Sequence, residues 1–397
     1  MYDVVVIGGG LVGSYMAYRL AGMGYGVAVL EQHKQLREQV CCTGIVSQEC
    51  IKTFAIDNSL VLRQLNSARL FAPSGKLIRL WREEPQACVI DRAAFDRAMA
   101  SWVQAQGVNY RLDSLATGLE VRDSGVTVRV TSQGERVGLE ARAVVIATGF
   151  GSKFADGLGL GKVGDFAVGT QAEVEVSGVD EVEVYFGREI APGFFAWLVP
   201  TSPRRALVGL LVRHNPGLYL KRLLLSLLNQ GKVVSAEVEP IYGGIPLKPL
   251  PRTYGKRLIV VGNAAGHVKP TTGGGIYFGL LSAEIAANTL HRCLAADNLS
   301  ARRLADYERG WKKKLGRELE IDYYARKFYE RLGDQRIDRL FDIIKSNGID
   351  EVLLKARDLS FDWHSRAVLR LMGHRAVAKA LEMMKIPFRP GKRDFDS

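Results

Sequence analysis

The sequence predicts an α/β fold, α+β over its whole length, in three parts: a parallel sheet, an inserted antiparallel sheet and a C-terminal helical region. Three observations predict it. The run Tyr2-Asp3-Val4-Val5-Val6-Ile7 enters a glycine turn, a helical stretch and a second short apolar run, as in a parallel strand-helix-strand unit. A similar run, Leu258-Ile259-Val260-Val261, recurs far down the chain and again ends in small residues. Between them, Ala167–Val176, Glu181–Phe186 and Ala206–Val212 alternate apolar and polar residues, the period of half-buried strands.

Composition bounds what such a fold can do. With 397 residues the chain can bury a large core and hold two or three domains. Its five cysteines, at 41, 42, 50, 88 and 293, are odd in number and form no CxxC pair, which argues against a disulfide framework or a structural zinc site. A disulfide between adjacent Cys41 and Cys42 would need a strained ring, and no metal site is expected. No window reaches the length of a membrane span, and the opening residues read as a strand rather than a signal peptide. A cytoplasmic protein is expected, with possible peripheral membrane contact. The net charge is +12, and residues 301–397 hold 23 Lys/Arg against 16 Asp/Glu. A basic surface of this kind suits anionic headgroups or phosphorylated substrates. Nucleic acid is not expected as a partner, because the basic region lacks interleaved aromatics on a recognisable module.

The first motif is Gly8-Gly9-Gly10-Leu11-Val12-Gly13, a GxGxxG turn between a strand and the helical stretch from Ser14 to Met23. Gly8 permits the turn, Gly10 lets backbone N–H groups approach a pyrophosphate, and Gly13 lets helix and strand pack closely. The next strand, Gly26 to Leu30, ends at Glu31, where a carboxylate can accept from a ribose 2′-hydroxyl. This is a Rossmann-like nucleotide site, and an acid at that tip favours FAD or NAD over a phosphorylated ribose.

The second strand decides between them. After Val261 come Gly262-Asn263-Ala264-Ala265-Gly266, then Pro270-Thr271-Thr272-Gly273-Gly274-Gly275-Ile276 and a helix over Tyr277–Leu294. In flavoproteins with two-part FAD sites such a strand end presents a carboxylate to the cofactor, and the glycine run admits the flavin ring. Asn263 stands where that Asp is usual. Asp91-Arg92 opens a helix with a cation placed for a diphosphate, and Ala143–Gly149 is a further apolar strand ending in small residues. No second GxGxxG marks a nicotinamide domain, so the expected cofactor is FAD alone. Residues 1–70, 88–165 and 250–297 are expected to form a discontinuous FAD-binding domain. Residues 166–249 with 71–87 form a substrate-binding domain, and 298–397 a basic helical region.

In the inserted part, Pro192-Gly193-Phe194-Phe195-Ala196-Trp197-Leu198-Val199-Pro200 places Phe195 and Trp197 on one strand face. These two, with Pro200, are the expected substrate residues. Together with Leu218-Tyr219-Leu220 and Leu223-Leu224-Leu225 of the next helix they are expected to line an apolar tunnel; the alternative is that they are core.

The GxGxxG turn with Glu31, Cys42-Thr43-Gly44, Asp91-Arg92 before Phe95-Asp96, "APGFFAWLVP" at 191–200 and "VGNAAGHVKPTTGGGI" at 261–276 together resemble the geranylgeranyl reductases. These are flavoproteins with p-hydroxybenzoate-hydroxylase-like folds, including the type acting on archaeal digeranylgeranylglycerophospholipids. The resemblance runs from residue 1 to about 295. It implies FAD contacts from Val12, Glu31, Cys42, Thr43, Gly44, Arg92, Ala116, Asn263, Gly275 and Ile276, besides Gly8, Gly10, Gly13 and Gly262. It also implies a prenyl-chain lipid or prenyl diphosphate as substrate, and an external electron donor, NADPH or ferredoxin. Family members commonly carry Tyr at the place of Phe195 and Lys at that of Thr201.

The implied reaction delivers hydride to one alkene carbon and a proton to the other, so a proton source is needed. Cys42 is the first candidate and His267 the second, with Cys41 a packing residue. The rival readings are an FAD-dependent monooxygenase or halogenase on the same scaffold, and a non-catalytic flavin-binding lipid carrier.

Overall fold

In a computed structural model the described residues are 1–36, 40–356, 360–375 and 377. Residues 37–39 of the expected FAD-binding domain, and 357–359, 376 and 378–397 of the expected helical region, lie outside them. Contacts divide the chain into two compact units. The first contains Met1–Val40, Arg92–Phe166 and Gly244–Leu319, and the second Cys41–Asp91, Ala167–Gly243 and the described residues from Glu320 on. Residues 41–91 thus pack with the inserted segment rather than with the nucleotide motifs, and the helices beyond Glu320 pack with it too instead of standing as a third region.

The first unit is built on an eight-stranded sheet. Its parallel part runs in the order Leu258–Val260, Glu135–Ile146, Tyr2–Ile7, Val27–Leu30 and Asn109–Arg111. Val4, Val5 and Val6 have no exposed surface, as expected for strands covered on both faces. The strand Glu135–Ile146 has two uses. Its first half pairs antiparallel with Val126–Ser132 and its second half parallel with Tyr2–Ile7. The turn of that hairpin is Gln133-Gly134, both with positive φ (50° and 84°), the two-residue geometry that matches strand twist. Helices Leu11–Gly22 and Ile276–Ala295 follow the two nucleotide-motif strands.

The second unit holds a seven-stranded sheet in the order 241–246, 166–175, 205–212, 195–202, 182–186, 67–71, 77–81, and a three-stranded sheet of 45–47, 87–90 and 61–65. Strict alternation divides the residues of the large sheet between two faces. Ala172, Ala196, Leu198, Val208 and Leu210 point to one face, which the helix Pro216–Asn229 covers with Leu220, Leu223, Leu224 and Leu227. Val184, Trp197, Val199 and Leu207 point to the other. There the three-stranded sheet packs against one part through Leu65, Ala87 and Val89. The helices Arg317–Glu330 and Asp334–Ser346 contribute Tyr329 and Phe341, which pack edge-on against Phe186.

Candidate functional site

The nucleotide motifs of the first unit are arranged as their residue types require. The helix Leu11–Gly22 starts after Gly10 with no side-chain cap, so its first N–H groups remain available to an anion. A Cβ at Gly10 would meet no atom within 4 Å, whereas one at Gly13 would run into the Gly8 carbonyl and lie 3.1 Å from the Ala147 methyl. One glycine thus leaves open space and the other allows close packing. Glu31 is buried, and its carboxylate accepts from the Gly9 N–H at 2.8 Å and the His33 N–H at 3.0 Å. It fixes the glycine turn from inside, and the His33 ring nitrogen also sits on its Oε1.

At the second strand end Gly262 takes a left-handed φ of 63°, and a side chain there would press on Val12 at 3.1 Å. Asn263 turns its Oδ1 to within 2.6 Å of where a Gly275 Cβ would be. Gly275 is the uncapped start of the helix at Ile276. The Lys269 N–H donates to the Gly274 carbonyl and the Gly273 N–H to the Lys269 carbonyl, at 3.0 and 2.8 Å, which closes the glycine loop on itself. Two uncapped helix starts, a buried carboxylate and glycines without room for a methyl fit an extended dinucleotide such as FAD. Arg92 begins its helix as expected and is held by Asp96 one turn on, at 2.9 and 3.1 Å. Ala116 is buried in the strand Ser114–Val121. Lys269, which the sequence reading did not single out, is 4% exposed with its Nζ 5.9 Å from the Phe278 ring centre. A lysine inside a glycine-rich loop was the available signal.

His267 does not suit the role of proton donor. It is fully buried, its ring 4.6 Å from that of Trp311 and 6.3 Å from that of Tyr307. Neither ring nitrogen has a hydrogen-bond partner among the described residues. Burial pushes its pKa down to about 3, so at neutral pH it is an uncharged imidazole inside an aromatic cluster.

In the second unit the Cys42-Thr43-Gly44 turn is seated against the large sheet. The Cys42 carbonyl accepts from Gln171 Nε2 at 3.2 Å, and the Gly44 N–H reaches Cys42 Sγ at 3.4 Å. Gly44 has a φ of 69°, and a side chain there would strike the Ile90 carbonyl. Cys41 packs against Gly169 and Gly243, where added Cβ atoms would lie 3.8 and 3.3 Å from its side chain. Burial pushes the Cys41 thiol up to about 12, in keeping with a packing residue.

Gln171, Gly209, Trp197 and Val184 pair in one row across the sheet, so Gln171 and Trp197 share a face. Gly209 makes room for the indole: a Cβ there would lie 2.5 Å from Trp197 Cζ2. Phe195 packs at 5.9 Å from Trp197 and is half-buried. The expected tunnel lining is corrected in two respects. The leucines of 216–229 cover the opposite face from Phe195 and Trp197, and Leu218 and Leu225 are exposed. Pro200 falls on that helix-covered face too, because it is an odd number of residues from Trp197. Among the described residues no group of three or more His, Cys, Asp or Glu is placed to hold a metal ion, and no helix is long and apolar enough to cross a membrane.

Comparison with known proteins supplies the family. The model of the Lycopene cyclase protein family matches residues 3–343. A digeranylgeranylglycerophospholipid reductase of Methanocaldococcus jannaschii is 31% identical over 88% of this chain and 93% of its own. Among solved structures, a geranylgeranyl bacteriochlorophyll reductase-like protein of Thermoplasma acidophilum superposes with a TM-score of 0.84 at 24% identity, covering 97% of this chain and 98% of that one. The flavin-dependent halogenase CmlS shares the fold alone, with a TM-score of 0.68 at 17% identity over 97% of this chain and 78% of its own. The chain belongs to the geranylgeranyl reductases, within the Lycopene cyclase protein family.

Proposed function

We propose that this protein is an FAD-dependent reductase that saturates the isoprenoid double bonds of a digeranylgeranylglycerophospholipid. The match to the M. jannaschii reductase over 93% of that protein's length carries the reading, because both units are then shared and not the nucleotide motifs alone. FAD, when bound, supplies hydride chemistry, and the protein supplies binding, orientation and a proton. Gly8, Gly10, Val12, Gly13, Glu31, Arg92, Ala116, Gly262, Asn263, Gly275 and Ile276 would hold the cofactor, with Cys42, Thr43 and Gly44 also in contact with it.

On the substrate side, Phe195 and Trp197 offer an apolar wall to a prenyl chain, whose burial is worth roughly 0.8 kcal/mol per CH₂. Cys42 holds the proton that goes to the second alkene carbon. The lipid head, or the membrane surface itself, meets basic helices such as Ser365–Gly373, which exposes Arg366 and Arg370 and carries no acid. Electrons come from an external donor, NADPH or ferredoxin.

The test is mass spectrometry of a digeranylgeranyl lipid incubated anaerobically with the dithionite-reduced protein. Mass gains in steps of two hydrogens per prenyl unit are expected. An unchanged lipid, or an oxygenated product once air is admitted, would remove this reading in favour of a carrier or a monooxygenase.

A further inference from the structure

The sheet face that carries Trp197 also carries a buried amide with no obvious purpose. Gln171 is 2% exposed, lies in the strand Phe166–Glu175 and spends one end of its side chain on a single bond, from Nε2 to the Cys42 carbonyl. Its Oε1 is buried without a hydrogen-bond partner among the described residues. Leaving an amide oxygen unsatisfied in a sheet interior is costly, and an apolar residue of that size would avoid the cost. The segment held by this bond is 129 positions away in the chain and is also anchored by Cys41, seated against Gly169 and Gly243 on neighbouring strands of the same sheet.

We propose that Gln171 and Cys41 are positioning residues that seat the Cys42-Thr43-Gly44 turn and so fix where the Cys42 thiol presents its proton. This deepens the proposed function and rests on it. The two cysteines then divide the work. Cys41 packs into the notch at Gly169 and Gly243, and Cys42 carries the thiol of the seated turn.

The experiment compares Gln171→Leu, Gln171→Glu and Cys41→Leu with wild type, each as the FAD-loaded protein. The rate at which methyl methanethiosulfonate modifies Cys42, resolved by peptide mass spectrometry, should change several-fold in all three. FAD content and reduction by dithionite should stay as in wild type. Turnover of the prenyl lipid should fall to the level of Cys42→Ala, and adding Gln171→Leu to Cys42→Ala should cause no further loss, since a residue acting only through Cys42 has nothing left to act on. Gln171→Glu keeps the size of the side chain and guards against a variant that fails to fold. Wild-type modification rates, or losses that multiply in the double variant, would overturn the proposal. Full turnover by Cys42→Ala would instead remove the role given to Cys42, while the modification rate would still decide whether the turn is seated as described.

Discussion

Replacing His267 with Phe should change the acid sensitivity of the protein while leaving its stability at neutral pH nearly as it was. The imidazole is fully buried, tilted against Trp311 and edge-on to Tyr307, and its two nitrogens have no partner among the described residues. Its pKa is about 3 in the folded protein against 6.5 for a free side chain. Between those values the unfolded chain binds a proton that the folded chain refuses, so folding stability falls as pH falls. The loss begins near 6.5 and grows by about 1.4 kcal/mol per pH unit until the folded pKa is reached. Phe fills a similar volume and carries no proton-binding group, so above pH 6.5 the variant should match wild type or exceed it slightly. Below that pH it should outlast wild type by a widening margin. Thermal melts of both FAD-loaded proteins between pH about 7.5 and 4.5 read this directly, at about 2–4 °C per kcal/mol for a chain of this size or somewhat less. The comparison cancels every other titrating group that the substitution leaves alone. Melting temperatures that stay parallel across the whole range would refute the reasoning, since they would mean that the ring is hydrated or partnered.

Three further outcomes follow from the geometry. Cys42→Ala should lower prenyl-lipid turnover with FAD still bound, and wild-type turnover would reduce the cysteine to packing. Gly13→Ala places a methyl against the Gly8 carbonyl and the Ala147 side chain; overpacking of about 1–3 kcal/mol is expected, seen as lost FAD occupancy and a lower melting temperature, and full occupancy would contradict it. Gly209→Ala puts a Cβ 2.5 Å from the Trp197 indole. It should shift tryptophan emission and raise KM for the lipid more than it lowers the melting temperature, so unchanged emission would count against the placement of the indole.

The features that could be read from the sequence were those whose cause is local. A GxGxxG turn announces itself because Gly8, Gly10 and Gly13 meet separate steric demands within six positions, and Glu31 is found by counting along the next strand. The expected helix over Tyr277–Leu294 is the observed Ile276–Ala295 with one residue more at each end. What the sequence hid depends on which face of a sheet meets which partner. Alternation places Phe195 and Trp197 together, but nothing in the chain tells that the leucines of 216–229 cover the reverse face. Gln171 was invisible for a related reason. A single glutamine in an alternating strand looks like a solvent-facing residue until a turn 129 positions away is folded against it. His267 was misread because a histidine after a small-residue turn looks accessible, and only the later Tyr307 and Trp311 close it off.

The double use of the strand Glu135–Ile146 bears on how the chain folds. Its hairpin with Val126–Ser132 is made of neighbours in sequence and closes through a two-residue turn, a contact that forms on the microsecond scale. Its parallel partners are remote: Tyr2–Ile7 was made long before it, and Leu258–Val260 comes after the whole inserted segment. The hairpin can therefore stand as a template while the nucleotide-binding sheet still lacks Leu258–Val260 and the strand Tyr254–Gly255 that joins through it. During synthesis that sheet cannot be completed until Val260 has been made. A ribosome-bound chain truncated before Leu258 should thus hold a formed hairpin and an unfinished parallel edge, which makes this the stage most exposed to mispairing.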